Sequence, residues 1–223
     1  MRIKELVIAT HNNDKKTEMQ YALKDLEVKI LSLDSFPEIG EIEESGSTLL
    51  ENSFIKAKEV YRKTGIPTLA DDTGLEVEFL NGAPGVYSAR YAGKNVTYED
   101  NVKKLLSELS GVEKKLRSAQ FRTVISFFGA KKELWVDGRI EGIITEKPIG
   151  EKGFGYDSVF FVPDIDLTFG QMHTNTQHSV AFNAKLFLIL RSIILFSGIP
   201  INFIIFFFAS WTACSGFFFS LFF

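Results

Sequence analysis

Thr48-Leu-Leu-Glu-Asn-Ser-Phe-Ile-Lys-Ala57 and, after Gly65-Ile-Pro67, Thr68-Leu-Ala-Asp-Asp-Thr-Gly-Leu75 decide how the chain folds. Thr48 and Glu51 form a capping-box pattern at the head of a helix. Leu50, Phe54, Ala57 and Tyr61 then recur at spacings of 4, 3 and 4, the period of one helix face. Gly65 and Pro67 end the helix. Thr68 to Ala70 reads as a short strand, and Leu75 to Phe79 as another with Leu75, Val77 and Phe79 on one face. Asp71-Asp72-Thr73-Gly74 lies between them.

Working outward, Leu6 to Thr10 is an apolar run of strand type, and His11-Asn-Asn-Asp14 is a polar loop. A helical pattern follows from about Lys15 to Leu26, and Val28 to Leu33 alternates like a half-buried strand. A loop with Pro37 and Gly40 leads into the acidic run Glu41-Ile-Glu-Glu44. Downstream, Gly82-Ala-Pro-Gly85 is loop, and Thr97 with Asp100 caps a further helix that Gly111 closes. Phe121 to Phe128 and Leu134 to Ile144 read as long strands joined by a turn over Gly129 to Lys132. Alternating strands and helices followed by a β-rich half predict an α/β domain with a mixed sheet.

The chain of 223 residues has a formal net charge of −3, which argues against binding nucleic acid through bulk charge. One cysteine excludes a disulfide framework and a cysteine-rich zinc site. No secretory signal pattern opens the chain, because Leu6 to Ala9 is shorter than the ~7 apolar residues such a signal needs, so a cytoplasmic protein is expected. The composition changes at about Met172. The last acidic residue is Asp166, and beyond Met172 only Lys185 and Arg191 are charged. That stretch also holds 12 of the 22 phenylalanines. The expected division is therefore a domain over 1–172 and a hydrophobic tail over 173–223.

Three groups of residues can carry chemistry. Thr10-His11-Asn12-Asn13-Asp14-Lys15 joins a strand to a helix, where backbone N–H groups and a lysine suit a phosphate. It lacks the Gly-Lys-Ser/Thr ending of a Walker loop, and an ordinary polar turn accounts for the same residues. Glu41, Glu43 and Glu44 before the Thr48 helix, and Asp71 and Asp72 after it, offer the one or two carboxylates that Mg²⁺ takes. A carboxylate at a strand end can also accept a proton from an attacking water, although a solvated acidic loop is the plainer account. Gly153-Phe154-Gly155-Tyr156-Asp157 pairs close-approach glycines with rings that can stack on a base, and a tight turn with core aromatics has the same form. Lys56 and Lys58 read as part of a solvated helix face, and Arg90 as a surface ion pair. His11 and His178 do not make a transition-metal site.

Taken together and in order, these segments resemble the family of noncanonical purine nucleoside triphosphate pyrophosphatases, the ITPase or dITP/XTP pyrophosphatase family. The stretches that carry the likeness begin with Ala9-Thr-His-Asn-Asn-Asp-Lys15 with Glu18, Glu44-Ser-Gly-Ser-Thr48 and Glu51 to Ala57. They continue through Leu69 to Leu75, Gly82 to Tyr91, and Gly153 to Asp157 with Phe160-Phe-Val-Pro163. The resemblance implies an elongated mixed sheet with flanking helices, two lobes around a nucleotide cleft, and a homodimer. It implies hydrolysis of ITP, dITP or XTP to the monophosphate and pyrophosphate, with Mg²⁺ as cofactor. Carried over by position, Asp72 is the proton acceptor and, with Glu44, a Mg²⁺ ligand. Thr10 to Lys15 bind the triphosphate, Lys56 faces the phosphates, Thr73 touches substrate, and Phe154 to Asp157 bind the base.

The likeness to these motifs covers about residues 5–172. After Thr168-Phe-Gly170 such a family continues into a helix with a Lys and then Ser-His-Arg against the purine. This chain has His173-Thr-Asn-Thr-Gln-His-Ser179 there. Ser192 to Phe223 carries no charge over 32 residues, enough for a membrane anchor, and its phenylalanine runs also fit a frameshifted end. An inactive or membrane-attached nucleotide-binding remnant is the alternative function, and membrane is a partner only if the tail is genuine.

Overall fold

The computed structural model describes residues 3–23, 28–129 and 132–172. The anchor and frameshift readings of the tail, and His178, lie outside the described residues. In chain order the elements are β1 (Glu5–Ile8), α1 (Asn13–Leu23), β2 (Lys29–Ser32), α2 (Leu49–Thr64), β3 (Thr68–Val77) and α3 (Tyr98–Glu108). The strands β4 (Ser118–Gly129), β5 (Lys132–Ile144), β6 (Phe160–Val162) and β7 (Leu167–Thr168) follow. They form one seven-stranded sheet in the order β2-β1-β3-β4-β5-β6-β7. β1 runs parallel to β2 and β3, and every pairing from β3 to β7 is antiparallel. This is the expected elongated mixed sheet with flanking helices. Its parallel part comes from the crossovers through α1 and α2, which place both joined strands beside β1.

The helix caps act as the side chains predict. Thr48 Oγ1 accepts the Glu51 N–H at 3.1 Å, and the Glu51 carboxylate accepts from the Ser47 N–H at 2.6 Å. Gly65, at φ +69°, ends α2 in the left-handed region that glycine enters without strain. The buried face of α2 is turned from the expected stripe: Leu49, Asn52, Ser53, Ala57 and Val60 are buried, while Leu50, Phe54 and Tyr61 are only partly covered. Of the four predicted positions Ala57 alone lies at the centre of the face. Small and polar residues pack inward because α2 lies close against β3 and β4.

β3 departs most from the expected pattern. The two short strands are one strand of ten residues, with Asp71-Asp72-Thr73-Gly74 in its middle. Asp and Gly are poor strand formers, but ten consecutive register pairs with β4, from Thr68↔Phe128 to Val77↔Ala119, outweigh local preference. Phe79 lies beyond the strand, 48% exposed, in a single 3₁₀ turn. Alternation along β3 sends successive side chains to opposite faces. Leu69 packs with Met19 and Leu23 of α1, and Ala70 with Ala57 and Val60 of α2. Asp71 therefore faces the α1 side and Asp72 the α2 side.

Two lobes share the long strands. One holds α1 and α2 on opposite faces of β1 and the first half of β3. The other packs Leu75 and Val77 with Val102 and Leu105 of α3, Phe160 of β6, and Phe169. Gly74 sits at the junction. A Cβ there would lie 2.5 Å from the Gly85 carbonyl oxygen, so the loop after β3 crosses the strand at a distance only glycine permits.

Candidate active site

A cleft of about 490 Å³ opens between the lobes. Its lining takes Thr10, His11, Asn12 and Lys15 from the β1–α1 connection, Glu41 and Glu44 from the loop before α2, and Lys56 from α2. Asp72 and Thr73 come from β3, and Phe154, Gly155, Tyr156 and Asp157 from the turn before β6. Of the residues singled out from the sequence, Glu43 and Asp71 are not on this wall, and neither are Asn13 and Asp14. The latter two form the exposed first turn of α1. Lys16 turns away as well, donating to Asp34 at 2.7 Å.

The β1–α1 connection is a capped helix start. Asn12 Oδ1 accepts the N–H groups of Asp14 at 2.9 Å and Lys15 at 3.1 Å. Those two amides are thus already occupied. His11 Nε2–H donates to the Gly40 carbonyl at 3.1 Å and ties this turn to the loop leading to Glu44. Lys15 reaches Asp71 at 2.9 Å. Burial works against the Lys15 charge, but Asp71, Asp72 and Glu44 outweigh it and hold the ammonium pKa above its ordinary value.

Lys56 bridges the two carboxylates carried over as metal ligands. Its Nζ lies 2.6 Å from Glu44 Oε1 and 3.7 Å from Asp72 Oδ1. Arg90 stands 3.7 Å from the other Glu44 oxygen, so its ion pair belongs to the site rather than to the open surface. Lys58 keeps the plainer role, paired with Glu133 at 3.0 Å. Asp72 Oδ1 accepts the Thr73 N–H at 3.0 Å, whereas Oδ2 is buried and has no hydrogen-bond partner among the described residues. Burial raises the Asp72 pKa above the usual carboxylate value, while Lys56 and Lys15 pull it back down. A buried carboxyl oxygen with spare lone pairs beside two lysines can take a proton or a cation. The set fits Mg²⁺, which needs only one or two carboxylates beside phosphate and water. No group of three or more His, Cys, Asp or Glu suited to a metal occurs among the described residues.

Thr73 Oγ1 lies 3.0 Å from Thr123 Oγ1 across the β3–β4 ladder and 3.3 Å from Asp71 Oδ2. The Phe154–Asp157 turn corrects one expectation. Tyr156 is buried, only 4% exposed, and its hydroxyl donates to the Ser88 carbonyl at 2.9 Å. It anchors the turn to the loop after β3 and is not an open stacking platform. Asp157 Oδ2 accepts the Phe154 N–H at 2.9 Å, and Gly153 and Gly155 take φ of +75° and +61°. Phe154 is left as the partly exposed ring of the segment. Tyr98, Thr123 and Arg139 also line the cleft and lack a motif of their own. Only the strand register and the placement of α3 bring them in. No described helix is long and apolar enough to cross a membrane.

Fold and cleft together define an α/β protein whose mixed sheet carries a buried lysine–carboxylate centre opposite an aromatic turn. The chain belongs to the Ham1 family, whose model matches residues 6–191 and so extends past Met172. It is 42% identical over 191 residues to the dITP/XTP pyrophosphatase of Thermoanaerobacter pseudethanolicus, covering 86% of this chain and 96% of that one. The dITP/XTP pyrophosphatase of Bacillus subtilis is 40% identical over 183 residues, covering 82% and 92%. Among solved structures, a HAM1 protein from Coxiella burnetii superposes with a TM-score of 0.79 at 38% identity, covering 86% of this chain and 99% of that one. The Ham1 protein of Staphylococcus aureus gives 0.77 at 35% identity, covering 88% and 100%.

Proposed function

We propose that the protein hydrolyses noncanonical purine nucleoside triphosphates, ITP, dITP and XTP, to the monophosphate and pyrophosphate. The observation that carries this reading is Lys56 set between Glu44 and Asp72, with Lys15 beside them, on one wall of a cleft whose other wall ends in Phe154. Relatives of similar length named dITP/XTP pyrophosphatases support the substrate class.

In this reading Lys15 and Lys56 offset the phosphate charge, and Thr10, Asn12 and Thr73 donate to phosphate oxygens. Asp72, whose pKa burial lifts, accepts the proton of the attacking water through Oδ2. Phe154 stacks on the base, and Asp157 keeps its backbone in place. Glu44 and Asp72 would hold Mg²⁺, which when bound adds positive charge beside the phosphate oxygens. Without such a cation the cleft lining sets Lys15, Lys56 and Arg139 against the carboxylates of Glu41, Glu44, Asp72 and Asp157, a poor balance for a tetra-anion. A homodimer completes the reading and rests on the family resemblance.

The test is a panel of nucleotides with the full chain. ITP, dITP and XTP should turn over at least ~10²-fold more efficiently than ATP or GTP, short of the ~10⁴-fold that a pocket built to hydrogen-bond its substrate reaches. Chelation should abolish turnover, and Mg²⁺ should restore it. Equal rates on ATP, or full activity in excess chelator, would overturn the reading.

A further inference from the structure

We infer that Tyr98 is a binding residue of this cleft, its ring closing over the nucleoside part of the substrate opposite Phe154. The inference rests on the nucleotide reading above and adds a residue that the motifs do not contain.

Tyr98 is the first residue of α3 and lines the same cleft as the lysine–carboxylate centre. A complete capping box fixes its backbone. Thr97 Oγ1 accepts the Asp100 N–H at 3.1 Å, and Asp100 Oδ2 accepts the Thr97 N–H at 3.0 Å. The ring projects from this anchored point toward both halves of the site. Its centroid lies 6.1 Å from that of Phe154, with the planes inclined at 41°. Its hydroxyl oxygen accepts from Asn12 Nδ2 at 3.5 Å. The Asn12 amide is oriented by its own work at the head of α1, because Oδ1 takes the Asp14 and Lys15 N–H groups and Nδ2 is left facing Tyr98. One side chain therefore spans from the phosphate-side turn to the base-side ring.

Phe154 sits in a turn, its N–H accepted by Asp157 between two glycines of positive φ. Tyr98 remains 42% exposed, so it has room to move outward. A planar base stacked between two rings needs them about 7 Å apart, two contacts of roughly 3.5 Å each. The pair stands about 1 Å short of that spacing, within the reach of a small χ rotation at Tyr98. Stacking on a π-face tolerates any base, so Tyr98 adds affinity for a nucleoside and nothing for the phosphates.

The test uses the full chain with Asp72 intact, and inosine triphosphate is supplied as its non-hydrolysable α,β-methylene analogue, so that binding is read without turnover. Dissociation constants for inosine triphosphate and for inorganic tripolyphosphate, which has no base, are measured by titration calorimetry. Tyr98→Ala should weaken inosine triphosphate about tenfold, the scale of one base–aromatic stack. It should leave tripolyphosphate unchanged, and Tyr98→Phe should recover nucleotide binding. Equal weakening of both ligands would overturn the inference in favour of a phosphate-side role through Asn12. So would unchanged nucleotide binding, or a Phe variant that behaves like Ala. Failure of the nucleotide reading itself shows separately, since the unsubstituted chain would then not bind inosine triphosphate at all.

Discussion

Asp72 is held in a state that favours chemistry over stability. It is 7% exposed, one oxygen has no hydrogen-bond partner among the described residues, and burial lifts its pKa above the ordinary carboxylate value. The unfolded chain has no such lift, so the folded protein binds this proton more tightly than the unfolded one. The stability linked to it is fully present below the unfolded pKa and is lost as pH rises through the folded value. At neutral pH the ionised side chain is therefore a net liability. Asp72→Asn should abolish turnover and raise Tm at pH 7 by about 2–4 °C, roughly 1 kcal/mol for a chain of this size. The gain should vanish below about pH 4, where both forms are neutral, and thermal unfolding at the two pH values checks it. An unchanged or lower Tm at pH 7 would contradict this account. Asp72, Lys56 and Glu44 were singled out through the family resemblance, since taken singly an acidic loop and a solvated lysine account for them as well. Tyr156 was not, since Gly-aromatic-Gly-aromatic does not say which ring the fold buries. Tyr98 left no local signal at all.

Among the elements, the helix ends were the most readable parts, because a cap is made by residues three or four apart. Thr48 with Glu51, Thr97 with Asp100, and Gly65 all act where the sequence places them. β3 was not readable. Its continuity depends on β4, and the cross-strand pair of Thr73 and Thr123 joins residues 50 apart. The inward face of α2 was misplaced for a related reason, since close packing on the sheet favours Ser53 and Asn52 over larger Phe54. Arg117 is a further element-scale feature without a motif. Buried at the start of β4, it donates to the carbonyls of Leu109, Ile144 and Thr145 at 2.7–2.8 Å. It thereby joins the end of α3 to the end of β5. Arg117→Leu leaves these carbonyls without their donor and should cost about 2–4 kcal/mol, read as a lower urea midpoint. A change under about 0.5 kcal/mol would show that the three bonds are replaced by solvent.

At the scale of the whole molecule, the long strands β3, β4 and β5 set two lobes apart and leave the cleft where Asp72 and Thr73 stand in mid-strand. The fold class and the order of motifs along residues 5–172 were open to reading, because most motifs sit at element boundaries, Asp71 to Gly74 in mid-strand being the exception. The closeness of Lys15, Lys56 and Asp72 was not, because it depends on α1 and α2 covering opposite faces of one strand. The central claim is that this centre cuts a purine nucleoside triphosphate between its α and β phosphates. Phosphorus NMR of inosine triphosphate incubated with the full chain and Mg²⁺ tests it most directly. The account predicts inosine monophosphate and pyrophosphate in equal amounts, with no orthophosphate. Stepwise release of orthophosphate through the diphosphate would contradict it.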